Sequence, residues 1–72
     1  MPRKIRELKA DLLRAGFTWR PGKGNHTRWS HPDVPDVRMT LSGHDGDDAE
    51  PYEERDLHKA LRKIRDAKER QP

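Results

Sequence analysis

Apolar side chains recur along this chain at fixed steps, and the step changes from segment to segment. Ile5, Leu8, Leu12 and Ala15 are spaced by threes and fours, with Arg6, Lys9, Asp11 and Arg14 on other faces, which predicts an amphipathic helix. Gly16 follows where a helix commonly closes in left-handed backbone. From Phe17 the step becomes two. Phe17 and Trp19 alternate with Thr18 and Arg20, a strand that Pro21 ends. After the loop Gly22–Asn25 the alternation resumes, with Thr27, Trp29 and His31 on one face and His26, Arg28 and Ser30 on the other. A connection this rich in glycine and asparagine predicts a hairpin.

The segment "HPDVPD", residues 31–36, reads as a second turn on its prolines and aspartates. A third strand is expected over residues 37–42, with Val37, Met39 and Leu41 inward and Arg38, Thr40 and Ser42 outward. The segment "GHDGDDAEP" has no apolar period and reads as a polar loop. From about Tyr52 to Lys68 the step of three and four returns, placing Leu57, Ala60, Leu61, Ile64 and Ala67 on one helical face. No repeat appears, and fraying is expected only at the chain ends. The order is helix, three strands, helix. Two amphipathic helices on one side of an antiparallel meander hide its apolar face, an α+β two-layer sandwich. Arg20, Arg28, Arg38 and His26 are then expected on the open sheet face.

Size and composition narrow this picture. Seventy-two residues hold one domain, residues 1–72, with a small core. The chain is 29% hydrophobic and 40% charged, a balance that leans towards disorder, but periodic apolar positions favour a folded domain. It has no cysteine, which excludes disulfides and thiolate metal sites. No apolar run approaches a membrane span or a signal-peptide core, so a cytoplasmic protein is expected. The net charge of +3 is unevenly spread. Residues 1–42 carry nine Lys/Arg against four Asp/Glu, residues 43–56 one against seven, and residues 57–72 six against two. Two basic segments imply a polyanionic partner. The acidic segment between them, of the wrong sign for phosphate, is expected to serve specificity or a protein partner.

Three readings compete for "PGKGNH", Pro21 to His26. Gly22 and Gly24 can simply allow the turn, with His26 an ordinary surface residue. They can instead let backbone N–H groups approach a phosphate beside Lys23; the spacing is not that of a nucleotide P-loop. Or His26 can exchange a proton with a ribose hydroxyl, since histidine titrates nearest neutrality. RNA carries its nucleophile in the adjacent 2′-hydroxyl, so attack on phosphorus needs no metal or other cofactor. Lys23, Arg28 and the amides of Gly22, Gly24 and Asn25 would then steady the charge developing on phosphate. His31 reads as structural or solvated and His58 as solvent-facing. His44, with Asp45, Asp47 and Asp48, lacks the spacing of a calcium loop. Trp19 and Trp29 can stack on bases, but both share the apolar phase of their strands and are expected to pack.

The stretches "IRELKADLLRAGFTWRPGKGNHTRWSHP" and "VRMTLSGHDGDDAEPYEERDLHKALRKI" resemble the HicA-type toxins, the mRNA interferases of bacterial toxin–antitoxin pairs. The helix–three strands–helix order is similar to that family's double-stranded-RNA-binding-like fold. The resemblance implies cleavage of mRNA with His26 as the catalytic residue, and inhibition by a HicB-type antitoxin. Asn25 stands where the family usually has serine or threonine, the loop after the third strand is longer and more acidic, and the last helix lacks the usual closing alanine–glycine. A module of the same fold that grips RNA without cutting it is the alternative.

Overall fold

A computed structural model describes residues 2–70. The expected fraying of the chain ends concerns residues 1, 71 and 72, outside the described ones. The elements are α1 (Ile5–Arg14), β1 (Thr18–Pro21), β2 (Thr27–His31), β3 (Val34–Leu41) and α2 (Pro51–Glu69). The strands form an antiparallel sheet in the order β1-β2-β3. Both helices contribute to one core with the inward sheet face: Ile5, Leu8 and Leu12 of α1, Trp29, Val37, Met39 and Leu41 of the sheet, and Leu57, Ala60 and Ile64 of α2. This is the predicted α+β sandwich.

The first helix ends as its sequence dictates. The N–H of Gly16 bonds to the Leu13 carbonyl and that of Phe17 to the Leu12 carbonyl, a Schellman closure that needs the left-handed φ of +92° at Gly16. A side chain there would also meet the His31 ring, whose Nε2 lies 3.1 Å from the position of an added Cβ. His31 is buried on that account. Its Nε2–H donates to the Ala15 carbonyl (2.9 Å), its Nδ1 accepts the Asp33 N–H (3.1 Å), and its ring meets Phe17 edge-on. One imidazole thus ties the end of α1 to the β2–β3 turn.

Two expectations need correction. The second turn is shorter than residues 31–36, because His31 already pairs with Val34 across a register shift, leaving only Pro32 and Asp33 in the turn. β3 therefore starts at Val34, not Val37, and Pro35 is tolerated because β3 is an edge strand. The second correction is Trp19. It lies opposite Trp29, with ring centroids 6.1 Å apart, but is 50% exposed whereas Trp29 is 2% exposed. Inward phase is not burial on an edge strand exposed along its whole length.

The acidic loop is bound to its own chain. Asp45 and Asp47 give their carbonyls to the N–H groups of Arg6 and Ile5, capping the first turn of α1. Lys9 reaches Asp45 and Lys4 reaches Asp48, at 2.6 and 2.5 Å. The expectation that this loop serves specificity or a protein partner is compatible with these contacts, since Asp45 and Asp48 stay exposed. Glu53 closes the loop from the other side. It is 1% exposed, and its carboxylate accepts the N–H groups of Ser42 (2.9 Å) and Glu50 (2.8 Å), the residues at the loop's two ends. Among the described residues no buried side-chain nitrogen or oxygen lacks a partner.

Replacing Glu53 with alanine leaves two amides without their charged acceptor, and hydrogen bonds to charged groups contribute about 1.5–3 kcal/mol each. Glu53→Ala is expected to lower the midpoint of thermal unfolding by at least 10 °C, taking about 4–8 °C per kcal/mol for a domain of this size; a shift of a degree or two would refute the loop-closing role. Asp11 provides a second check. A hydrogen bond from Arg3 (2.6 Å), reinforced by Arg14, holds its carboxyl below the usual carboxylate range, and the same bond raises Arg3. A depressed carboxyl stabilises the fold above its unfolded value of about 3.9, and that contribution disappears as pH falls through the lower folded value. The stability gap between wild type and Asp11→Asn, measured by urea titration, should therefore narrow from pH 5 towards pH 2.

Candidate functional site

Alternation in the strands leaves one sheet face uncovered, and the arginines fall there. Arg20 pairs directly with Arg28, and Arg28 with Thr40; in the next row Thr18 pairs with Ser30, and Ser30 with Arg38. Thr18, Arg20, Arg28, Ser30, Arg38 and Thr40 line an open trough of about 530 Å³, with Trp29 and Met39 at its floor. Like charges placed directly opposite across a sheet are destabilising. Here no carboxylate among the described residues pairs with Arg20, Arg28 or Arg38, although Arg3, Lys4, Lys9 and Arg14 of the α1 region all have acidic partners. Arg38 instead donates through Nε to the Pro35 carbonyl. The trough is a cationic surface edged with hydroxyls, suited to a chain of phosphates.

The glycine-rich loop stands at one end of this face. It is closed by two backbone bonds, from the Gly22 N–H to the His26 carbonyl (2.8 Å) and from the His26 N–H to the Lys23 carbonyl (3.0 Å). These fix the backbone of His26 while its side chain stays exposed. Gly22 allows a close approach there. A Cβ at this position would lie 3.2 Å from the His26 Cβ and 3.6 Å from the Arg28 Nε. The histidine and the Arg28 guanidinium therefore share the space that a glycine leaves.

The sequence candidates divide between two places. Arg20, Arg28 and Arg38 line the trough. His26 lines a second open cavity, of about 390 Å³, with Gly24 and Asn25 of its own loop. Lys23 is exposed on the loop and lines neither; Gly22 links the two through its contacts with His26 and Arg28. The far wall of the second cavity is made by Lys9, Gly43, His44 and Asp45. The sequence reading missed this set, because nothing in the local spacing shows that the acidic loop folds back to the hairpin. Lys9 holds the Asp45 carboxyl below the usual carboxylate range by hydrogen bond and charge, with smaller contributions from Arg6 and His44. No group of three or more His, Asp or Glu among the described residues is arranged to hold a metal ion.

Residues 5–68 match a family described as the HicA toxin of bacterial toxin–antitoxin systems. No curated protein and no solved structure is similar enough to count as a match. No helix among the described residues is long and apolar enough to cross a membrane.

Substitution of Gly22 tests how tightly the loop holds His26. Gly22→Ala gains about 0.4–1 kcal/mol from a less flexible unfolded chain, offset by the crowding at His26. Net stability should stay within about 1 kcal/mol of wild type, while the His26 amide and imidazole resonances move more than those of Arg38. An unmoved His26 spectrum would show that the glycine is not needed for its placement.

Proposed function

The chain belongs to the HicA toxin family of bacterial toxin–antitoxin systems, and we propose that it acts there as a metal-independent endoribonuclease on mRNA, with His26 as the proton-transferring residue. As a toxin of such a pair it has an antitoxin partner, which we take to be HicB-type. One observation carries the enzymatic reading: an exposed histidine held by its backbone, whose Cβ and the Arg28 guanidinium both approach Gly22 at the end of an arginine face without carboxylate partners among the described residues. In this reading Arg20, Arg28 and Arg38 run the RNA backbone along the trough, and Lys23 adds charge at the loop.

The reaction follows from the substrate's own chemistry. His26 takes the proton of a ribose 2′-hydroxyl, and the oxygen attacks the adjacent phosphorus. The bond to the 5′-oxygen breaks, leaving a 2′,3′-cyclic phosphate and a 5′-hydroxyl end. Arg28, close to His26 across Gly22, and the amides of Gly24 and Asn25 offset the negative charge that builds on the phosphate oxygens. DNA, without the 2′-hydroxyl, is not a substrate. Such cleavage of mRNA takes place in the cytoplasm.

The test compares purified wild type and His26→Ala on RNA with a chelator present. Positioned proton transfer contributes about 10²–10⁴-fold to rate, so His26→Ala should lose at least a hundredfold in cleavage while RNA affinity changes little. Wild type should cut RNA in the chelator and leave DNA of the same sequence intact. Equal activity in the two proteins would reduce His26 to a loop residue. RNA binding without cutting by wild type would favour a non-catalytic module that grips RNA.

A further inference from the structure

Transesterification at phosphorus uses two proton transfers, one from the entering oxygen and one to the leaving oxygen. His26 supplies one group. The second comes from a segment distant in the chain. We propose that His44 is the second proton-transfer residue of the same site, donating to the departing 5′-oxygen; this rests on the ribonuclease reading above.

The argument begins with the cavity. His26 of the β1–β2 loop and His44 of the β3–α2 loop both line one open space of about 390 Å³, together with Lys9 and Asp45. In-line displacement places the entering and leaving oxygens on opposite sides of phosphorus. Two proton-transfer groups contributed by separate loops suit that geometry.

His44 is also held in place. Its N–H donates to Asp47 Oδ2 (2.8 Å), and its carbonyl accepts the Asp47 N–H (3.0 Å). The neighbouring Asp45 is anchored to α1 through Lys9 and the Arg6 N–H. These bonds use the backbone of His44 and leave its ring exposed. Neither His26 nor His44 gives its ring to a protein hydrogen bond among the described residues, whereas buried His31 commits both ring nitrogens. Free imidazoles on fixed backbones are what proton transfer to a visiting substrate requires.

The balance is complete. The O2′–H proton passes to His26 as the O2′–P bond forms. The P–O5′ bond breaks as O5′ takes a proton from His44. Exchange with water then returns both rings to their starting states. The accepting role goes to His26 because the Arg28 guanidinium, which approaches Gly22 next to it, can steady the attacked phosphate.

The test uses two RNA oligonucleotides, one ordinary and one with sulfur in place of the bridging 5′-oxygen, with thermal unfolding to check each variant's fold. A 5′-thiolate leaves without a proton, so the sulfur substrate bypasses the donor alone. His44→Ala should cut ordinary RNA about 10²–10⁴-fold more slowly and the sulfur substrate at close to the wild-type rate. His26→Ala should be slow on both. Undiminished cleavage of ordinary RNA by His44→Ala would overturn the proposal, as would an equal loss on both substrates, which marks a structural or binding role. Rescue of His26→Ala instead would overturn the assignment of donor and acceptor. Failure of wild type to cut either substrate would defeat the ribonuclease reading itself, a result distinct from all of these.

Discussion

The carboxylate of Glu53 is the contact on which the site's geometry rests. A buried charge is costly unless it is hydrogen-bonded, and Glu53 meets that condition by accepting the amides at the two ends of the acidic loop. The loop is thereby closed against the start of α2, and the carboxylates of Asp45 and Asp48 reach Lys9 and Lys4 at the α1 end. From there the consequences are geometric. Asp45 and Asp47 cap α1, Asp47 holds the backbone of His44 through two bonds, and His44 comes to line one cavity with His26 of the hairpin loop.

The same arrangement separates the charges of the molecule. A chain with 16 Lys/Arg and 13 Asp/Glu can neutralise nearly all of its cations internally. Among the described residues it forms ion pairs only around α1, where the partners include Asp11, Asp45 and Asp48; the open sheet face has none, and neither do the cations of α2. The strand register sets Arg20 against Arg28 without a carboxylate between them, a cost to folding that an anionic ligand relieves. The acidic loop thus serves the arginine face indirectly, by taking the α1 cations as its partners and keeping its carboxylates there.

Much of this was legible in the sequence. Steps of three and four marked both helices, alternation marked the strands, and the outward phase placed Arg20, Arg28 and Arg38 on one face. What stayed hidden depended on neighbours distant in the chain. The phase of Trp19 is inward, but its exposure is set by the edge position of β1, which no local pattern reports. The early start of β3 at Val34 follows from pairing with His31, against the turn signal of two prolines. His44 read as a member of an acidic cluster because its relation to His26 is created only when the loop folds onto α1. His31 and His58 were legible, the one as structural and the other as solvent-facing, whereas His26 lies in the loop and not on the sheet face where alternation put it.

The sequential strand order has a consequence for how the parts hold together in time. β1 meets β2 and β2 meets β3 through short connections, so the arginine face is assembled from neighbours along the chain and needs little loop closure to form. The cavity shared by His26 and His44 depends on contacts that span the chain, with Lys9 to Asp45 separated by 36 residues and Lys4 to Asp48 by 44. A local opening that releases the acidic loop from α1 breaks these distant contacts while the meander keeps its ladder. The arginine face and the cavity lined by His26 and His44 thus belong to different cooperative units, and the face can outlast the cavity within a single fluctuation of the fold.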